Sequence, residues 1–272
     1  MMRNGKILFS SLKGGVGKSS ASCAVAAALA ADGYKTVIVD LDFRSRSLDL
    51  MLGVAESVLF TLDDYMKERC SLDALLVPVP IPPSRNVGAG EGFLKLCPAP
   101  VEEVFESDGA DAYEKIPEYL ERIAQESGAD YMICDTGADS RIPAIVAGGF
   151  ADFAIVVSEQ SRTALRAAEA TAARFTESHA VSHVRLLINN FDIDSARKAG
   201  RAGILEMIDG CAVKCIGVIP TDPTLAAAQD AGEMLQSTSP VSLAAANIAR
   251  RIQGVQTPLF HGMKKERRRA IL

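Results

Sequence analysis

Eight consecutive residues near the start of the chain, Lys13-Gly14-Gly15-Val16-Gly17-Lys18-Ser19-Ser20, have the types and spacing needed to hold a phosphate chain. Three glycines in four positions let backbone N–H groups curl inward, with no side chain between the loop and an anion. A helix opening directly after the loop points its positive dipole end at the same anion. Lys18 then supplies a mobile charge for the β- and γ-phosphates, and the Ser19 hydroxyl is suited to coordinating Mg2+. The loop residues Gly14, Gly15, Val16, Gly17, Lys18, Ser19 and Ser20 are therefore expected to bind a nucleotide, read as ATP with Mg2+.

Such a loop requires a strand before it and a helix after it. Both are legible: Lys6 to Ser10 reads as a buried strand, and Ser19 to Ala31 as an alanine-rich helix ending before Gly33. Two further runs, Thr36-Val37-Ile38-Val39-Asp40 and Tyr131-Met132-Ile133-Cys134-Asp135, are apolar until they end in aspartate. Continuous apolar runs mark strands buried on both faces of a parallel sheet. Ligands bind at the carboxyl edge of such a sheet, so Asp40, Asp42 and Asp135 face the same phosphates as Lys18. Asp135 is expected to hydrogen-bond a Mg2+-bound water, and the Gly137 N–H to sense the γ-phosphate.

The remaining pattern alternates strands and helices. Strands are expected at Phe93 to Leu96, Phe153 to Val157, Val184 to Asn190 and Ile216 to Pro220, the Val184 run being the sixth. Helices are expected at Ala112 to Ser127, Arg162 to Ser178, Thr224 to Met234 and Ser242 to Gly254, with short helices after Thr61 and Ser71. Four prolines and two glycines between Val77 and Gly90 read as a loop. The fold class is α/β, a mostly parallel twisted sheet flanked by helices of the P-loop NTPase type. A single domain over residues 1–257 and a basic tail over 258–272 are expected.

Composition is that of a globular chain, with 48% hydrophobic and 23% charged residues, which argues against disorder and fibrous classes. No apolar run is long enough to cross a bilayer, and the first residues do not read as a signal peptide, so a cytoplasmic location is expected. The six cysteines are scattered without a Cys-x-x-Cys pair, as reduced core thiols would be. His179 and His183 lack the further ligands a metal site would need. Five basic residues between Lys264 and Arg269 stand against Glu266, a net +4, so the rest of a chain of net charge −5 carries −9. That distribution argues against a broad nucleic-acid face and for a localised anionic partner.

The loop KGGVGK followed by Ser resembles the deviant Walker A motif of the MinD/ParA family, and the resemblance extends over almost the whole chain, with MinD and FlhG members most similar. It implies that Lys13 crosses a dimer interface to the partner's nucleotide, making Lys13, Lys18 and Asp42 the catalytic set. By the same resemblance, the segment from Asp40 to Asp49 is a switch in which Asp40 helps hold the Mg2+ water shell and Asp42 orients the attacking water. Ser19, Asp40 and Asp135 form the implied metal set. An asparagine closing the Val184 strand reads adenine, either Asn189 or Asn190, and Pro220 to Asp222 close around the base. Arg44 and Asp139 depart from the family pattern in the two switches, and Asp152 is either a surface residue for a partner or a helix-end cap.

The implied activity is an ATPase that dimerises on ATP and positions a cellular assembly such as the division site, with a MinC/MinE-like activator or effector as partner. Alternatives are a FlhG-like flagellar regulator, a ParA-like partitioning ATPase and a metabolic phosphotransferase on the same fold. Residues 259–272 mix a basic block with Phe260, Met263, Ile271 and Leu272. They read either as an amphipathic segment for an anionic membrane, peripheral on the inner face of the plasma membrane, or as a solvated basic tail that meets nucleic acid.

Overall fold

A computed structural model of the chain describes residues 5–81, 91–101, 105, 109–139, 141–192, 194, 201–233 and 238–263. In chain order the first half comprises β1 (Gly5–Ser10), α1 (Lys18–Ala31), β2 (Lys35–Leu41), α2 (Leu48–Met51), α3 (Leu62–Met66), α4 (Leu72–Leu75), β3 (Val77–Val79), β4 (Phe93–Cys97) and α5 (Ala110–Ser127). The second half comprises β5 (Tyr131–Thr136), α6 (Arg141–Gly149), β6 (Phe153–Glu159), α7 (Arg162–Glu177), β7 (His183–Phe191), α8 (Ile204–Cys211), β8 (Cys215–Pro220), α9 (Pro223–Asp230) and α10 (Pro240–Ile252).

The strands form one eight-stranded sheet in the order β3-β4-β2-β5-β1-β6-β7-β8. Every pairing is parallel except β3 with β4. The central strands carry apolar residues on both faces because helices cover both: Ile7, Leu8, Ile38, Ile133 and Ile155 are all fully buried. The register does the functional work. It pairs Asp40 with Asp135, and Phe9 with Asp135 on the other side, so both acids reach the same sheet edge beside the loop that leaves β1. Helix α1 is apolar almost all round, since it lies between the sheet and α10.

Several expectations change. Val77–Val79 is not loop but an edge strand antiparallel to β4. Proline is tolerated there because an edge strand needs no inward N–H at every residue, and Val77 and Val79 turn into the core while Pro78 faces out. The Val184 strand is consequently the seventh among the described residues, not the sixth. The last apolar residues before the basic block also belong to the body: Phe260 and Met263 are buried, and Asn247 on α10 donates to the His261 carbonyl at 2.9 Å. Phe260 and Met263 are thus withdrawn from any membrane-facing set, and the folded body runs through Met263.

Helix α9 ends at Asp230, where Ala231 and Gly232 turn the chain, so the expected helix to Met234 is shorter; Met234 lies outside the described residues. The region 82–90 and residues 264–272, including Ile271 and Leu272, also lie outside them. Helices α6 and α8 had no clear signature in sequence. Pro143, Gly148 and Gly149 lower the propensity of α6, and a Gly203 cap without a side-chain bond opens α8, so both depend on packing of Ile142, Val146, Met207 and Cys211. No described helix is long and apolar enough to cross a membrane.

Candidate functional site

The loop between β1 and α1 is shaped by glycine and held from behind by an amide. Gly15 and Gly17 take φ of +76° and +80°, the left-handed region where a side chain is strained. At Gly17 a Cβ would also collide with Asn189 Nδ2. That amide nitrogen donates to the Val16 carbonyl at 2.9 Å and to the Gly17 carbonyl at 3.4 Å, which leaves the loop N–H groups to the other side. Leu12 N–H donates to Thr171 Oγ1 at 3.3 Å and Lys13 N–H to Ser11 Oγ at 3.1 Å, fixing the entry to the loop.

In front of the loop opens a cavity of about 1010 Å³ lined by Gly14, Gly15, Gly17, Lys18, Ser19, Ser20, Asp42, Gly137 and Arg141, and closed on one side by Gln229 and Asp230 of α9. Lys18 is buried there, opening α1. Asp42 and Gly137, from the ends of β2 and β5, meet in its wall: a Cβ on Gly137 would be 3.2 Å from Asp42 Oδ1. The Asp42 carboxylate accepts from Ser45 N–H at 3.1 Å, which sets the turn of the segment after β2.

Beneath this cavity lies a buried carboxyl pair. Asp135 accepts from the Ser19 hydroxyl at 2.6 Å and from the Ser22 hydroxyl at 3.0 Å. Asp40 accepts from Asp42 N–H at 3.0 Å and from Leu48 N–H at 3.2 Å. Burial, followed by the negative charge of Asp135, pushes the Asp40 carboxyl up to about 8. Burial pushes Asp135 up to about 6 against the bonds from Ser19 and Ser22 and the charge of Lys18. Two desolvated carboxyls and a hydroxyl, all oxygen donors and short of positive charge, fit a hard divalent cation such as Mg2+.

Lys13 behaves unlike Lys18. Its side chain leaves the cavity and pairs with Glu159 at the end of β6, with Ser161 Oγ 3.5 Å away. The base-side residues are placed less directly. Asn189 is buried against the loop, whereas Asn190 takes φ of +51° and is exposed. Pro220 ends β8 in register with Phe191, and Asp222 caps α9 by accepting from Thr224 N–H at 3.0 Å and Thr224 Oγ1 at 2.6 Å. Neither lines the cavity.

Several contributing residues were not anticipated. Ser22 sits one turn beyond Ser19 on the face of α1 turned to Asp135, an i,i+3 polar pair within an alanine-rich helix. Gln229 of α9 accepts from the Ser20 hydroxyl at 3.0 Å and joins the loop to the helix across the cavity. Arg141 stacks on Tyr113 with 4.1 Å between guanidinium and ring centre, and Asp139 accepts from the Arg141 and Ile142 N–H groups at 2.8 and 3.1 Å, opening α6. Asp139, unusual for its position, is therefore a helix cap. Glu159 carried the same signal as Asp40 and Asp135, an acid closing an apolar strand.

Residues 7–235 match the model of the CobQ/CobB/MinD/ParA nucleotide binding domain. The septum site-determining protein MinD of Synechocystis sp. is 29% identical over 266 residues, covering 94% of this chain and 92% of the relative. The protein of the same name from Bacillus subtilis is 28% identical over 259 residues, covering 93% and 90%. Among solved structures, the MinC:MinD cell division protein complex of Aquifex aeolicus aligns with a TM-score of 0.78 at 26% identity, covering 94% of this chain and 98% of that one. The septum site-determining MinD of Pyrococcus horikoshii complexed with Mg-ADP aligns with a TM-score of 0.71 at 20% identity, covering 92% and 96%, a likeness of fold.

Proposed function

The chain belongs to the CobQ/CobB/MinD/ParA family of nucleotide-binding domains, and from that membership we propose that it is a MinD-type ATPase that dimerises on ATP and helps place the division site. The observation that carries the reading is the stacking of one sheet edge: Lys18 and Ser19 at the cavity floor, with Asp135 hydrogen-bonded directly beneath Ser19. The breadth of the match to relatives named for septum-site determination supports the choice of process.

In this reading the loop N–H groups and Lys18 bind the β- and γ-phosphates of ATP. Ser19, Asp40 and Asp135 would hold Mg2+ and its water shell, and the ion would supply neutralisation of phosphate charge. Asp42 orients the attacking water, since it stands in the cavity wall beside Gly137 with one oxygen only lightly engaged by Ser45. Loss of the γ-phosphate frees the Gly137 segment, and the touching Asp42 segment moves with it, so hydrolysis alters both switch loops together. Asn189 acts by bracing the loop through its amide nitrogen.

Lys13 reaches the nucleotide of a second copy, and a MinC/MinE-like protein acts as effector or activator on that dimer. The relative solved as a MinC:MinD complex supports such a partner. The basic residues of 264–272 attach the protein to anionic lipid at about 1 kcal/mol per cation, so two tails in one dimer bind where a single tail does not. The purified chain is expected to release phosphate from ATP slowly and only with Mg2+, and Lys18→Ala to abolish the release. Phosphate release of equal rate in Lys18→Ala, or without Mg2+, contradicts the assignment. Sedimentation with anionic liposomes is expected with ATP and not with ADP; equal partitioning, or no change on deleting 264–272, contradicts the membrane role.

A further inference from the structure

Lys13 and Lys18 flank the same glycines, yet only Lys18 lines the phosphate cavity. The backbone around Lys13 is pinned by the bonds from Leu12 to Thr171 and from Lys13 to Ser11, so only its flexible side chain is free to choose a partner. That side chain lies across the surface to the Glu159 carboxylate. The anionic end of this pair is rigid. Glu159 is held in register with Asn189 at the end of β6 and accepts from the Ser161 hydroxyl at 3.2 Å, while Ser161 in turn caps α7 by accepting from Ala164 N–H at 3.2 Å. Gln160 between them is buried, donating to the Ala202 carbonyl at 3.1 Å and accepting from Asp192 N–H at 3.1 Å.

We propose that Glu159 is a positioning residue that tethers Lys13 within its own subunit, so that the ATP-dependent dimer forms only as Lys13 exchanges Glu159 for the phosphates of the partner's nucleotide. This rests on the reading of the chain as a dimerising ATPase. The side chains of Lys13 and Glu159 are 31% and 26% exposed, so the tether is a screened ion pair that a phosphate chain outcompetes, and not a buried one that would lock the subunit. Glu159 also shares a cleft of about 330 Å³ with Arg162 and Arg201, so it keeps positive neighbours when Lys13 departs. The exchange makes the subunit's own carboxylate the competitor of the partner's γ-phosphate: ADP, lacking that phosphate, leaves Lys13 at home. Because Ser161 bonds both Glu159 and the first turn of α7, departure of Lys13 is also felt at that helix start.

Two measurements on the full chain test this. In the nucleotide-free protein, acylation of Lys13 by an amine-reactive ester, read peptide by peptide, is expected to rise about threefold or more in Glu159→Gln and to fall back in Glu159→Asp, with other lysines unchanged. With ATP and Mg2+, the dimer dissociation constant of Glu159→Gln is expected to be about three- to tenfold lower than wild type at low salt, two tethers being lost per dimer, with the gap narrowing at high salt. Unchanged Lys13 labelling in Glu159→Gln overturns the tether. Raised labelling with an equal or weaker dimer overturns the exchange, as does a dimer restored by adding Glu159→Gln to Lys13→Ala, since the glutamate would then act without its lysine. A wild-type chain that stays monomeric with ATP contradicts the dimer reading itself and removes the exchange, while the labelling still reports the tether separately.

Discussion

The carboxyl ends of β2 and β5 and the carboxyl end of β6 look alike in sequence and differ in what surrounds them. Each is an apolar run closed by an acid: Asp40, Asp135 and Glu159. The first two lie side by side in the sheet, are buried, and have hydroxyls and N–H groups as their bonded partners, so burial pushes both carboxyls up. Glu159 lies at the end of β6, across β1 from that pair, is partly exposed, and meets a lysine that arrives from the phosphate loop. A desolvated acid without a bonded cation is poised to take one from solution, whereas a solvated acid with a cation from its own chain is poised to give it up. One strand-end pattern thus gives a buried carboxyl pair on one side of β1 and a lysine-paired carboxylate on the other.

Substitutions on the two sides should separate accordingly. The largest effect is expected at Lys18→Ala, which removes the buried charge inside the cavity: nucleotide affinity falls about 100-fold or more by calorimetry, and a loss below about fivefold would break the contrast with Lys13. Asp42→Ala comes next, with phosphate release slowed about 100-fold while ATP affinity stays within about threefold; turnover at the wild-type rate would remove Asp42 from the water-orienting role. Glu159→Gln, on the exposed side, shifts dimerisation severalfold and leaves monomer affinity for ATP alone. Asn189→Ala loses the braces on the Val16 and Gly17 carbonyls, so thermal unfolding is expected to report a loss of about 1 kcal/mol with a few-fold weaker nucleotide binding. At the bottom of the scale, Arg122→Ala breaks an exposed, solvent-screened pair with Glu126 on α5, and its thermal unfolding is expected to match wild type.

The parts of this arrangement that were legible in sequence are those fixed by local chemistry. The phosphate loop needs glycines and a lysine at set spacing, and buried parallel strands need unbroken apolar runs, so the placement of Gly14 to Ser20, Asp40 and Asp135 at one sheet edge was readable from the sequence. What escaped depends on contacts distant along the chain. Gln229 meets Ser20 from more than 200 residues away. Helices α6 and α8 form against propensity because the core accepts their apolar faces. Val77–Val79 looks like loop because its prolines speak louder than two inward valines at an edge. Phe260 and Met263 look like the apolar side of a surface helix until the body buries them. Lys13 shows the limit most clearly: its place in the loop points to a role, and only the fold reveals the glutamate that holds it.

The most direct test is the molar mass of the full chain with Mg2+ and a slowly hydrolysed ATP analogue, set beside the same measurement with ADP and with Lys13→Ala. The expected result is a dimer with the ATP analogue, a monomer with ADP, and a monomer in both nucleotides for Lys13→Ala although it still binds them. A wild-type mass that is the same with both nucleotides, or a Lys13→Ala chain that dimerises like wild type, would contradict the account.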